Sequence, residues 1–339
     1  MTEKAFISGC AGHALSAAER AFFAQAQPWG LILFGRNIDC PDQVCALTRS
    51  FRECVGRDAP VLIDQEGGRV ARLRAPHWPP FPPAGRFGEL YQSDAAAARD
   101  ATQLGAQLIG LELSALGIDV DCLPVLDLHL PQTHSAIGDR AYGQDAGMVA
   151  DLGRSACRGL LCAGVLPVIK HVPGHGRALV DSHQQLPVVD ASLETLRQTD
   201  FEPFRQLADM PLAMSAHVVY SGLDQARPAT QSKAIITEVI RREIGFHGVL
   251  MTDDISMGAL SGTVAERSVA AWQAGCDLVL HCNGKLEEMQ ALAEVAPAID
   301  GATAQRCQAA LSLRTAPQRL DVGEARARFA GLMERVLSA

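Results

Sequence analysis

The chain has 339 residues, 48% of them apolar and 20% charged, which supplies a sizeable core and excludes wholesale disorder. A net charge of −8, with basic residues gathered on no segment, argues against a nucleic-acid partner. MTEKAFISGC lacks the cationic, apolar and small-residue series of a secretory leader, and no apolar stretch reaches about eighteen residues, so a cytoplasmic protein without membrane contact is expected.

From the N-terminus onward, short apolar runs alternate with longer amphipathic segments. The runs are AFISG (5–9), GLILFG (30–35), PVLID (60–64), DVDCLPVLD (119–127), VLPVIK (165–170), PLAMSAH (211–217), GVLMTD (248–253) and CDLVLHC (276–282). Between them fall predicted helices: one opened by a capping box from Ser16 to Glu19, then 41–54, 94–116, 145–163, 193–208, 231–243, 264–274 and 285–296. Eight such βα units predict a TIM-type (β/α)8 barrel, an α/β fold. No linker or short repeat breaks the series, so residues 1–339 read as a single domain with helices of 302–338 packed on the outside. A doubly wound open sheet is the main alternative, but SGCAGHAL after the first run does not match the glycine-rich dinucleotide loop. The ten cysteines are scattered without a CxxC pair and read as reduced, mostly buried thiols.

In such a barrel the C-terminal strand ends share one mouth and carry the chemistry. Nearly every run here ends in a polar or ionisable residue: Arg36 and Asn37, Asp64, Asp127, Lys170 and His171, His217, Asp253, and Asn283. Asp64 opens DQEGGRV, whose paired glycines allow a sharp turn or close approach to a ligand; the plainer alternative leaves Glu66 and Arg69 solvated. Arg140 lies in the long connection after the fourth run, where an arginine serves either a surface ion pair or a ligand clamp. Lys170 is one of four lysines against 26 arginines, and it ends a buried strand. Of the consecutive Asp253 and Asp254, which point to opposite faces in a strand, Asp253 is the choice for chemistry. After Lys170, KHVPGHGRALVDSH has neither helical nor strand periodicity and reads as a long functional loop, flexible near Gly174 and Gly176. Asp181 and His183 project to one side of its extended tip, so the carboxylate can orient the imidazole; His175 has no evident task.

KHVPGHG followed by DSH, with DQEGGRV and GDRAYG before it and TDD after a GFHGV run, resembles the bacterial β-N-acetylglucosaminidases of glycoside hydrolase family 3 over about residues 5–285. The resemblance implies a TIM barrel that hydrolyses terminal β-linked N-acetylglucosamine, the short form being that of the cytoplasmic enzyme of peptidoglycan recycling. It implies Asp253 as nucleophile and His183 with Asp181 as acid/base dyad. Asp64, Arg140, Lys170 and His171 would bind the sugar, with no cofactor or metal, and a small-molecule substrate acted on by a monomer. Val172, where an aromatic residue is common, and Gln184–Gln185 after DSH depart from the family pattern at positions that touch loop packing.

The residue chemistry agrees with that expectation. A retaining glycosidase needs an ionised carboxylate beneath the anomeric carbon and a proton donor at the leaving oxygen. A histidine whose tautomer is held by a carboxylate can be that donor near neutral pH. Two rivals remain at this stage. A metal-dependent amidohydrolase would use His171, His217 and Asp253 as ligands, yet ISGCAGH lacks the usual HxH pair of the first strand. A non-catalytic sugar-binding protein would need neither Asp253 nor His183.

Overall fold

A computed structural model describes residues 2–182 and 184–335. Eight parallel strands close a barrel: β1 Lys4–Ser8, β2 Pro28–Leu33, β3 Val61–Ile63, β4 Val120–Asp121, β5 Leu166–Val172, β6 Leu212–Ser215, β7 Val249–Asp254 and β8 Leu278–His281, with β8 pairing back onto β1. Each strand is buried on both faces, which is why each reads as a nearly unbroken apolar run. Ile7, Ile32, Leu62, Val120, Val168, Leu212 and Met251 fill the interior, while Phe6, Leu31, Val61 and Ile63 face the helices.

Most predicted helices stand within a residue or two of their expected limits, among them Ala17–Ala26 with its Ser16–Glu19 capping box, Pro41–Val55, Ala95–Ala115, Ala146–Cys162 and Val264–Ala274. The fourth run departs from expectation, because only Val120 and Asp121 pair as a strand and Val125 returns for one bridge to Lys170. Pro124 has no N–H to give a ladder, and past Asp121 the chain keeps to β5 through irregular bonds, Pro124 O accepting from Lys170 N at 3.1 Å. The single helix expected over 193–208 is two, Leu193–Gln198 and Glu202–Gln206. At the break, buried Asp200 accepts from Arg177 Nε and the Thr199 hydroxyl, both at 2.7 Å, which ties this layer to the loop after β5. Helix Ala84–Ser93 was not foreseen. It follows the proline-rich segment WPPFPP and abuts the next helix, so its periodicity is too short to read alone.

The C-terminal helices Gly301–Leu311 and Val322–Glu334 lie on the outside. They and the segment between them are tied down by ions: Arg306 to Asp277, Arg314 to Asp119 at 2.5 Å and Arg326 to Glu112 at 2.6 Å. Asp119 and Asp277 precede β4 and β8, so these ties close the end of the barrel opposite the strand termini. All ten cysteines are free thiols. No helix among the described residues is long and apolar enough to cross a membrane.

Candidate active site

The C-terminal strand ends meet at a cleft of about 320 Å³. Asp64 from the end of β3, Lys170 and His171 from β5, and Asp253 and Asp254 from β7 line it, together with Glu66, Arg140, His175 and Asp181. Two consecutive β5 residues reach one cleft where the register against β6 shifts between Lys170 and Val172, an irregularity of the kind that re-aims side chains. Of the residues singled out from sequence, Asp64, Arg140, Lys170, His171, Asp181 and Asp253 are thus brought together. His183 lies outside the described residues.

One side of the cleft is an ion network. Lys170 Nζ sits 3.0 Å from Asp64 Oδ1 and 2.7 Å from Glu66 Oε1. Arg140 Nε and Nη2 grip the two Glu66 oxygens at 2.8 Å each, and Arg72 donates to Asp64 Oδ2 at 3.1 Å. Burial by itself raises both carboxyls, but the cations outweigh it: Lys170 and Arg72 hold Asp64 well below the usual carboxylate range, and Arg140 and Lys170 bring Glu66 down to about 2. Burial likewise disfavours the Lys170 cation, and Asp64 and Glu66 overcome it and raise that group instead. At neutral pH the network is therefore fully ionised.

Glu66 and Arg72 were missed in the sequence. Glu66 is buried, not solvated, and it joins Arg140 across 74 residues of chain, a pairing without local signature. The solvated alternative holds only for Arg69, which is exposed and pairs with Asp139. Glycines make the turn possible: Gly67 and Gly68 have φ of +91° and +56°, and a Cβ on either would lie 2.5 and 2.6 Å from Pro82 O and Pro83 Cβ. Arg140, on the short turn Gly138–Arg140, is half-buried, and its ion pair is with the buried Glu66 at the cleft.

The other side is built around Asp127. Its Oδ2 accepts His171 Nδ1 at 2.6 Å, and its Oδ1 accepts the backbone N–H of His175 at 2.6 Å. Although burial raises Asp127, His171 and His175 outweigh it and hold the carboxyl below its usual range. With Nδ1 so engaged, His171 presents Nε2 to Asp253 Oδ2 at 4.0 Å. Asp253 Oδ1 accepts the Asp254 N–H at 2.7 Å. Asp254 itself spends its oxygens on Ser256 N and Oγ and on Cys282 N, bracing the turn.

The remaining polar strand ends support the mouth without facing it. Arg36 Nε and Asn37 Nδ2 hold the Cys10 carbonyl at 2.9 and 3.1 Å, and Asn37 also holds that of Gly12. Asn283 donates to Glu288 at 2.7 Å. His217 bonds the Thr230 hydroxyl at 2.8 Å through Nδ1 and the Asp254 carbonyl at 3.1 Å through Nε2. With both ring nitrogens engaged and one ring nitrogen of His171 committed to Asp127, the His171, His217 and Asp253 ligand set of the amidohydrolase reading is not assembled.

The root of the loop after β5 is pinned, against the expectation that its glycines loosen it. Tyr220 donates to Gly174 O and Thr133 to Gly176 O, each at 2.6 Å. A Cβ on Gly176 would lie 2.2 Å from Leu128 O, so glycine here serves close packing. Past the root, Leu179 is 60% exposed, whereas Ser182 is buried and lines the cleft beside Asp181.

Residues 6–312 match the Glycosyl hydrolase family 3 N terminal domain. A β-hexosaminidase of Bordetella parapertussis is 38% identical over 278 residues, covering 80% of this chain and 78% of that protein. One of Aromatoleum aromaticum is 35% identical and covers 92% and 87%. Among solved structures, NagZ from Neisseria gonorrhoeae in complex with N-trifluoroacetyl-D-glucosamine superimposes with a TM-score of 0.89 at 31% identity, covering 98% of this chain and 99% of that one.

Proposed function

Since this chain belongs to glycosyl hydrolase family 3 and is a glycoside hydrolase of the β-hexosaminidase type, we propose that it removes terminal β-linked N-acetylglucosamine with retention of configuration, Asp253 acting as nucleophile and His183 with Asp181 as acid and base. The observation that carries this reading is the Asp253 carboxylate at the end of β7, facing an enclosed polar cleft opposite a fully ionised cluster. Asp253 attacks the anomeric carbon while His183 gives its proton to the departing oxygen; water, deprotonated by the same imidazole, then cleaves the glycosyl-enzyme. Asp181 holds the imidazole tautomer. Lys170 and Arg140 offer donors to the sugar hydroxyls and Asp64 accepts from them. His171, oriented by Asp127, presents Nε2 on the side of Asp253 and would bind a sugar hydroxyl there. The substrate is a small N-acetylglucosamine-capped fragment, in the natural setting a peptidoglycan-derived muropeptide consumed by a cytoplasmic monomer during cell-wall recycling. Similarity to the β-hexosaminidases and to NagZ in complex with N-trifluoroacetyl-D-glucosamine supports an N-acetylglucosamine-containing substrate.

The test begins with an aryl β-N-acetylglucosaminide, which should turn over far faster than the corresponding glucoside. Asp253→Ala should lose about 10⁴-fold or more in kcat with the fold intact, because the residue sits at the mouth and not in the core. A 2-fluoro sugar should label Asp253. A label on Asp254, or an inverted anomer as first product, sinks the assignment.

A further inference from the structure

His175 is the histidine for which the sequence suggests no task, and its surroundings are specific. It is 3% exposed, its ring lies edge-on to that of His171 with centroids 5.7 Å apart, and its backbone is held by Asp127. Its Nε2 meets Ser182 Oγ at 3.2 Å, while Nδ1 has no partner among the described residues. Ser182 stands between Asp181 and His183 in the chain. Its carbonyl accepts the Ala259 N–H at 3.2 Å, from the segment that follows β7. The loop is thus fastened at Ser182 on two sides: by the His175 imidazole to the rigid root after β5, and by a backbone bond to the segment that follows β7.

We propose that His175 is a positioning residue whose bond to Ser182 latches the Asp181–Ser182 stretch against the cleft, and so governs proton delivery by the acid/base pair assigned above. The proposal rests on the acid/base assignment made above. Ser182 is the natural handle for such a latch, since it follows Asp181 directly and its bond to His175 leaves the Asp181 carboxylate unconsumed. Neutral imidazole suits the task, because either ring tautomer can pair with a hydroxyl, which both donates and accepts. Burial keeps His175 in that form, lowering it to about 4. The root supplies rigidity: Gly174 and Gly176 are bonded to Tyr220 and Thr133, so a latch anchored there transmits the position of the barrel to that stretch.

A latch for the proton donor predicts a loss that depends on the leaving group, which neither a core histidine nor a sugar-binding one produces. kcat/KM is measured for Ser182→Ala, His175→Ala, His175→Gln and the double alanine variant, across aryl β-N-acetylglucosaminides of graded phenol acidity and on chitobiose. Ser182→Ala and His175→Ala should each lose about tenfold on chitobiose and little on the most electron-poor aryl glycoside. The double variant should lose no more than either single one, since both remove the same bond. His175→Gln, which can still reach the serine, should retain more activity than His175→Ala. Ser182→Ala with the leaving-group dependence of the unaltered protein overturns the latch, and does so even where His175→Ala fails to fold. Equal losses on every substrate, or a change confined to KM, overturn it too and make His175 a sugar ligand or core group. His183→Ala, run in parallel, separates the two levels. If it shows no leaving-group dependence, the acid/base assignment itself fails; if it does and Ser182→Ala does not, only the latch fails.

Discussion

Glu66 balances the charge of the cleft. It touches Lys170 and Arg140 at once; without it Arg140 would lose its carboxylate partner and the buried Lys170 would keep only Asp64. Glu66→Gln should cost about 3 kcal/mol, the order expected when one partner of a buried ion cluster is removed, and should raise KM as the cations lose their fixed positions. Its pH dependence is signed. Because the folded carboxyl is depressed from 4.5 to about 2, its contribution is fully present above the higher value and is lost as pH falls toward the lower one. Melting temperatures of the unaltered protein and Glu66→Gln should therefore converge as pH is lowered through that window. A gap that stays constant down to pH 2.5 contradicts the ionised network. Nothing near Glu66 in the sequence announces this role. DQEGGRV shows that something turns sharply there, but its partners come from the end of β5 and from the turn Gly138–Arg140, and only the closed barrel brings them within bonding distance. Asp64, Lys170 and Asp253 were legible for the opposite reason, each being an ionisable residue that ends its own apolar run.

Strands and long helices were readable because each buries one continuous face, and that face writes itself into the local period of the sequence. Elements defined by what they touch were not. Helix Ala84–Ser93 packs against the segment that carries Arg140, and at Gly88 an added Cβ would lie 1.7 Å from the Tyr142 carbonyl oxygen. That oxygen is backbone and cannot swing aside. Gly88→Ala should therefore push the helix off the turn, at a cost of about 1–3 kcal/mol, and should move Arg140 with it. The expected pattern is a lower melting temperature combined with a higher KM for the aryl glycoside. An unchanged KM at lowered stability would mean that the Arg140 turn holds its place without this helix. The same kind of contact explains the divided helix near Asp200, where a buried carboxylate reaching for Arg177 outweighed local helical preference.

The two ends of the barrel do different work. At one end Asp119 and Asp277 gather arginines from the C-terminal segment, among them Arg314 at 2.5 Å and Arg306 at 2.5 Å, and hold the shell closed. At the other, the polar strand ends open onto the cleft. The C-terminal ties, like Glu66, join positions far apart in the chain and left no local trace, whereas the repeating βα pattern disclosed the barrel itself. Within the mouth the proposed chemistry is split between a fixed part and a hung part. Asp253 stands on β7, while Asp181 belongs to an arm that the described contacts fasten through Ser182. Forming the glycosyl-enzyme and discharging it are then mechanically separable. With the arm crippled by His183→Ala and an electron-poor aryl glycoside as donor, the first step proceeds unaided and the sugar waits on Asp253 for a nucleophile that needs no base. Azide is such a nucleophile: its nitrogen bonds the anomeric carbon as the bond to the Asp253 oxygen breaks, giving the β-glycosyl azide. Azide should accelerate this variant and leave that product, while Asp253→Ala should yield none of it. The arm would then decide what the captured sugar is passed to, and a protein stripped of it would work as a synthetic catalyst joining N-acetylglucosamine to small anions.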